Sequence, residues 1–331
     1  MSGDVLVKGD AGSCHPKESH STAQRRWRLL ARALTRSPEP FTETEDEISM
    51  RRFTSFGLVN PVILENAVTD PESSWYEYSA VVDSKIYSAE IRRINKNFTA
   101  NELIGFNNTG NVCVWPSEEC LAYYLMKNRR ICKNKMVLEL GGGMSCLAGV
   151  FAAKYCSPSG VTLTDGNVTS VDNARCIIAR NDMADFIKCG VVQWARAARV
   201  LRQAGVNGNR VQTWVTEAAD ESRRTEGLYD VILSADCLFF DDARLDLVET
   251  IYGWLADGGV ALVMAPRRGT TFQKFTEAAI KRGFITKQWE RYDPVVWSRH
   301  LELLNHNPEY CPDLHYPLLL ELTKQKLPGK V

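Results

Sequence analysis

Large apolar side chains are sparse up to about residue 22, where Gly, Ser, Lys and His dominate, so residues 1–22 are read as a disordered tail. Gln24 to Leu34 then places Trp27, Leu30 and Leu34 at helical spacing under a basic face, which predicts a short amphipathic helix, either docking an acidic partner or packed on the body. An acidic run, Glu43 to Glu47, separates it from strand-like patterns at Phe53, Phe56, Leu58, Val62 and Leu64, at Trp75 to Val82 and at Ile86 to Ile94. Asp70-Pro71 and Asp83-Ser84 punctuate them as turns. Residues 23–106 are therefore expected to form the basic helix and a small mostly-β lobe.

From residue 107 to 327 the pattern changes to short apolar runs alternating with helical spacing. Met136-Val137-Leu138, Val161 to Thr164, Val211 to Val215, Val231-Ile232-Leu233 and Val260 to Ala265 read as strands buried on both faces, which implies an α/β fold with a mostly parallel sheet. Helices are expected from Ser117 as N-cap, through Leu147, over Val168 to Met183, Asp242 to Leu255 and Phe272 to Lys281, with a basic amphipathic one in "VVQWARAARVLRQAG". Phe284 to Trp289 and Tyr316 to Thr323 close the pattern as the last strands, and an antiparallel edge strand is expected there.

Composition narrows the reading. With 331 residues, 44% hydrophobic and 24% charged, a sizeable core is assured. Lys plus Arg equals Asp plus Glu, 40 each, so no global charge draws the chain to nucleic acid, and no membrane association is expected. The ten cysteines include no CxxC pair and several fall inside the expected elements. They point to a reducing compartment, cytoplasmic with the nucleus left open, and no metal site is expected from them. No strong heptad suggests an obligate dimer, and a monomer is expected.

Two stretches carry chemistry. The first is "MVLELGGGMSCLAG", Met136 to Gly149: a strand, then Glu139 and the glycines Gly141, Gly142 and Gly143, then a helix, the order that places a glycine turn against a nucleotide-type ligand. Gly141 and Gly143 are followed by Cys146, so the dinucleotide fingerprint fails at its third position and a dehydrogenase is disfavoured. A second acid, Asp165, ends the next strand, where an acid binding ribose hydroxyls is expected. The second stretch is Tyr229 to Phe240, "YDVILSADCLFF", whose strand end brings Asp236 and Phe239 to the same end of the sheet. Asp236 is read there as a site residue or as a cap of the following helix. Trp115, just before a helix, is either a core side chain or a lid on the pocket.

The runs "NTGNVCVWPSEE", "LELGGGMSCLAG", "LTDGN", "SADCLFF", "APRRG" and "LHYPLLLELTK", in this order, resemble the seven-strand, S-adenosylmethionine (SAM)-dependent protein-lysine methyltransferase family. The narrower motifs resemble its calmodulin branch. The resemblance implies a Rossmann-like seven-strand methyltransferase sheet, SAM as cofactor and calmodulin as protein partner. It also implies that Trp115, Glu139, Gly141, Gly143, Asp165, Trp214 and Ala235 hold the cofactor, and that Asp236 and Phe239 handle the lysine. Arg267 and Arg268, then Arg92, Arg93 and Lys96, are the basic residues expected to face an acidic substrate. Residues 184–209 look longer than the family pattern, with Trp214 matching the family's tryptophan after the third strand. The rival readings are the same chemistry on another protein and a SAM-binding interaction module without turnover.

Overall fold

The structure, a computed structural model, describes residues 55–64, 72–94, 113–207 and 229–324, all within the compact unit Ile48–Val331. The expected tail, the helix from Gln24 to Leu34, Lys96, the strand Val211 to Val215 and Trp214 lie outside the described residues.

Three antiparallel strands, β1 (Asn60–Ile63), β2 (Ser73–Val82) and β3 (Lys85–Ile94), form the small sheet. Asp83 and Ser84 join β2 to β3 with φ of 48° and 63°, the two-residue turn whose twist matches the strands. Alternation then sends Tyr78, Ala80, Val82, Ala89 and Ile91 inward. β3 is an edge strand, and helical side chains cover it. The Tyr155 hydroxyl accepts from the Ser88 amide at 2.9 Å and donates to its carbonyl at 2.6 Å, and Asn181 exchanges two hydrogen bonds with the Glu90 backbone. Phe56 and Leu58, expected in a strand, lie in a loop before β1 because a buried side chain, Glu119, takes their amides in place of a neighbouring strand.

The main sheet alternates with helices: α1 (Pro116–Lys127), β4 (Met136–Leu140), α2 (Leu147–Tyr155), β5 (Gly160–Asp165), α3 (Val168–Arg180), β6 (Ile187–Val191), α4 (Trp194–Asn207), β7 (Tyr229–Ala235) and α5 (Arg244–Trp254). Then come β8 (Leu255–Ala265), α6 (Thr271–Arg282), β9 (Phe284–Trp289), α7 (Pro294–His306), α8 (Pro312–His315) and β10 (Leu318–Lys324). The seven strands lie in the order β6-β5-β4-β7-β8-β10-β9. β6 to β8 pair in parallel, and β10 runs antiparallel to both neighbours. The antiparallel strand expected at the edge thus lies one place inside it, since β10 returns into the gap between β8 and β9. This is the Rossmann-like seven-strand sheet, with the small antiparallel sheet ahead of it.

Within the stretch that looked longer than the family pattern, residues 187–207 supply a strand of this sheet and a helix. Ile187–Val191 pairs with β5 and forms the outer strand, and α4 follows. Lys188 is exposed and Gly190 interrupts the apolar run, as an edge strand allows and a central strand does not. The order of strand addition reverses at β4, which sends β5 and β6 to one side and β7 and β8 to the other, and a crevice opens at that switch between β4 and β7.

Candidate active site

The crevice is lined by Gly141, Gly142 and Gly143 after β4, Asp165 and Gly166 after β5, Val192 and Trp194 after β6, and Ala235, Asp236, Cys237 and Phe239 after β7, with Trp115 and Glu118 from α1. Of the residues expected at the site, Trp115, Gly141, Gly143, Asp165, Ala235, Asp236 and Phe239 are brought together here.

The glycine turn is required sterically. Gly141 has φ of 68°, and a Cβ on it would lie 2.6 Å from Cys237 Sγ and 3.0 Å from Trp194 Cζ2. Gly143, with φ of 59°, turns its amide onto Asp165 Oδ2 at 3.0 Å, and Asp165 Oδ1 accepts from the Asn167 amide at 2.8 Å. Burial outweighs these hydrogen bonds and pushes the Asp165 carboxyl up to about 6.

Glu139 does not line the crevice. Its carboxylate turns under the loop, where Oε2 accepts from the Gly149 amide in the first turn of α2 at 3.2 Å. Burial, and then the neighbouring Glu118, hold its carboxyl well above the usual range. In this arrangement the residue braces the start of α2 from beneath the glycine turn. Gly149 is what admits it, because a Cβ there would come within 2.5 Å of Glu139 Oε2.

Glu118 stands in the crevice instead. Ser117 does not cap α1: the N-cap is Trp115, no side chain caps the helix, and Pro116 opens the first turn. The resulting turn directs Glu118 and Glu119 in different directions. Glu118 accepts from Ser145 Oγ at 2.5 Å and the Leu147 amide at 2.7 Å. Burial raises it to about 7 in spite of these donors. Glu119 takes the Phe56, Leu58 and Val59 amides and the Ser55 hydroxyl, so it fastens the loop before β1.

At the other wall, Asp236 follows β7 with φ of 57°, and its amide donates to the Met264 carbonyl at 2.8 Å. Arg268, after β8 with φ of 42°, grips its carboxylate with both terminal nitrogens, NH2 to Oδ2 at 3.0 Å. The Ser117 hydroxyl stands 3.4 Å from Oδ2. Both ions are buried, at 5% and 6% exposure. Arg268 also lies 5.9 Å from the Phe239 ring centroid, which marks that ring as a surface facing cations. Arg268 is therefore not the surface charge expected from its sequence: the pairing with Asp236 draws it inside. Arg267 beside it is exposed and pairs with Glu290 at 3.0 Å.

Trp194 follows β6, the third strand of the sheet in chain order, and lines the crevice. Trp194 is thus a lining residue that the sequence reading did not assign, while Trp214, which it did, lies outside the described residues. The signal available in the sequence was an aromatic directly after a short apolar run, "IKCGVV", broken by Lys188 and Gly190. Among the described residues no cluster of His, Cys, Asp and Glu could hold a metal.

The donor set suits a cationic nucleoside. Three carboxylates face one crevice, glycine backbone leaves the approach open, and the indole of Trp194 stands beside Asp165 among the lining groups. A sequence family described as Lysine methyltransferase matches residues 96–207. A calmodulin-lysine N-methyltransferase of Arabidopsis thaliana is 28% identical over 326 residues, 93% of this chain and 98% of that protein. A protein-lysine N-methyltransferase of Chaetomium thermophilum is 27% identical over 191 residues, 56% of this chain and 51% of its own. Among solved structures, a TehB-like SAM-dependent methyltransferase from Corynebacterium glutamicum aligns with TM-score 0.40 and 18% identity over 62% of this chain and 87% of that one. Strand order, glycine turn and sequence point the same way: the chain is similar to the lysine methyltransferases, over residues 96–207 in the family model and over 93% of its length in the Arabidopsis relative.

Proposed function

We propose that this protein transfers methyl groups from SAM to the side-chain amine of a lysine in calmodulin. The observation that carries the reading is the end-to-end match to the Arabidopsis calmodulin-lysine N-methyltransferase, 93% of this chain against 98% of that one, which extends beyond the residues that build the crevice. The relative from Chaetomium, similar over about half its length, supports the same chemistry on a different protein lysine as the second reading.

SAM supplies a methyl group made electrophilic by its sulfonium. Asp165 would take ribose hydroxyls, and Val192 and Trp194, which line the same crevice, would face the base. Glu118, raised to about 7, offers a carboxylate to the positive end of the ligand. The cavity itself is about 60 Å³, and the half-buried rings of Trp115 and Phe239 stand on its wall.

Displacement at a methyl carbon needs a neutral amine held in line, more than it needs a strong base. An unperturbed lysine has a pKa of about 10.4, and burial beside a cation lowers it. Asp236 and Arg268 form a pair of zero net charge, so a bound sulfonium leaves the site cationic and favours the uncharged amine. The Asp236 carboxylate has lone pairs beyond the two engaged by Arg268, and these can accept the amine's hydrogens and aim its nitrogen. Phe239 walls the channel on the same side.

The test is incubation with SAM, unmethylated calmodulin and a panel of other proteins, with methylated lysines read by mass spectrometry beside an Asp236→Ala variant. Label on calmodulin, lost in the variant, supports the reading. Label only on another protein transfers the chemistry to that partner, and tight SAM binding with no label anywhere favours an interaction module.

A further inference from the structure

A second cleft, of about 460 Å³, opens between the small sheet and the start of α1. Tyr76, Tyr78, Arg92 and Arg93 line it from β2 and β3, and Met144 and Ser145 from the turn after Gly143. It adjoins the methyl-transfer crevice through one shared wall. Trp115 and Glu118 face the crevice, while their neighbours Val114 and Glu119 face the cleft. Ser145, in the cleft, donates to Glu118, in the crevice.

The floor of the cleft is a fixed cation on aromatic rings. The Arg93 guanidinium lies 4.6 Å from the Tyr76 centroid and 5.1 Å from that of Tyr78, and its Nε donates to the Tyr78 hydroxyl at 2.5 Å. Among the described residues no carboxylate pairs with Arg93. Arg92 beside it donates to the Ser73 hydroxyl at 3.0 Å and to Asn173 Oδ1 at 3.1 Å. The acid in the cleft, Glu119, is 3% exposed, and its oxygens are engaged by three amides and a hydroxyl of the loop before β1. A half-buried guanidinium stacked on tyrosines and held in one orientation, with no carboxylate paired to it among the described residues, matches a carboxylate arriving from outside.

We infer that this cleft docks the acidic segment of the protein substrate that flanks its target lysine, with Arg93 as the principal contact and the lysine passing over the Ser145–Glu118 wall to the methyl donor. The inference rests on the reading of the protein as a methyltransferase of an acidic protein. An acidic peptide fits better than nucleic acid, because the chain carries 40 basic and 40 acidic residues and so lacks the broad basic field that phosphate backbones require.

Cys113 lines the cleft and is exposed, and Cys176 is exposed on α3 outside it, so alkylation of the two thiols locates a bound ligand. The probes are unmethylated calmodulin, a lysine-free Asp/Glu peptide and polyuridine, each with the full-length protein and its Arg93→Gln and Arg93→Lys variants. Calmodulin and the acidic peptide are expected to slow alkylation of Cys113 about tenfold relative to Cys176. Arg93→Gln should remove that protection and raise the KM for calmodulin about tenfold with kcat within about twofold, matching the loss of one charge-assisted contact, and Arg93→Lys should recover part of it. Calmodulin methylated with Cys113 unprotected and KM unchanged in Arg93→Gln overturns the cleft while the function stands. Calmodulin unmethylated, with Arg93-dependent protection by the acidic peptide, overturns the substrate and keeps the cleft. Protection by polyuridine alone, or by no probe, overturns the docking site.

Discussion

Asp165 and Asp236 stand on opposite sides of one crevice, each at the carboxyl end of a parallel strand, yet their oxygens are engaged by different chemistry. On the β4–β5 side, Asp165, Glu118 and Glu139 receive backbone amides from Gly143, Asn167, Leu147 and Gly149. On the β7–β8 side, Asp236 is gripped by a side chain, Arg268, 32 residues further along the chain. Main-chain donors follow from the local turn and change little with sequence. A guanidinium can be replaced by mutation, so this wall is the one a substrate preference can reshape.

The largest expected effect comes from the Asp236 side. Arg268→Ala leaves a buried carboxylate without its cation, and Asp236→Ala leaves a buried cation without its anion; each is expected to cost about 3–5 kcal/mol in chemical denaturation. The double variant Asp236→Asn/Arg268→Met should recover most of that stability and none of the methyl transfer, which separates the fold's need for the pair from the reaction's. A double variant as unstable as either single one would remove the distinction between the two walls.

On the amide side, the raised carboxyls make a pH signature. Burial raises Glu118 from 4.5 to about 7, so between these values the folded protein holds a proton that the unfolded chain has released. Stability should therefore fall as pH rises through this window, by up to roughly 3 kcal/mol, and level off above about pH 7. Asp165, raised from 3.8 to about 6, adds a fall in the same sense at lower pH. Glu118→Gln should flatten the upper part of the profile, as followed by denaturation at stepped pH, and an unchanged slope above pH 6 would assign it elsewhere.

Gly141→Ala tests the turn that supplies these amides. With φ of 68° and Cys237 Sγ 2.6 Å from the new Cβ, it should lose about 1–3 kcal/mol and weaken SAM binding in calorimetry. The smallest expected effect is that of Trp194→Phe, which keeps a ring in place but shrinks it. A SAM Kd raised by no more than about tenfold, worth about 1 kcal/mol, with kcat nearly intact, would place Trp194 at the cofactor; an unchanged Kd would exclude it.

Those variants follow the line between what was legible in the sequence and what was not. β4, β5 and β7 showed as apolar runs because strands buried on both faces admit little else, and the glycine turn showed because positive φ demands glycine. β6 did not show: as an outer strand it carries Lys188 and Gly190, and its run was too short to separate from a connection. With β6 unseen, Trp194 was not placed at the crevice. Arg268 read as a surface charge because Arg267-Arg268-Gly269 looks like an ordinary exposed turn, and only its approach to Asp236 makes it interior. Glu139 matched the pattern of an acid beside a glycine loop, and its hydrogen bond to the start of α2 was not legible in that pattern.

Local chemistry in the chain was enough to determine the α/β alternation, the glycine turn and the strand-end acids Asp165 and Asp236, since each depends on residues within one turn or one strand. The tertiary structure decided which carboxylates face the crevice, that Arg268 is a buried counter-ion, that β10 inserts between β8 and β9, and that Arg93 lies on two tyrosines beside the site. The physical reason is range: backbone conformation is set by neighbours in sequence, whereas burial and charge pairing are set by neighbours in space, which pattern along a single chain does not contain.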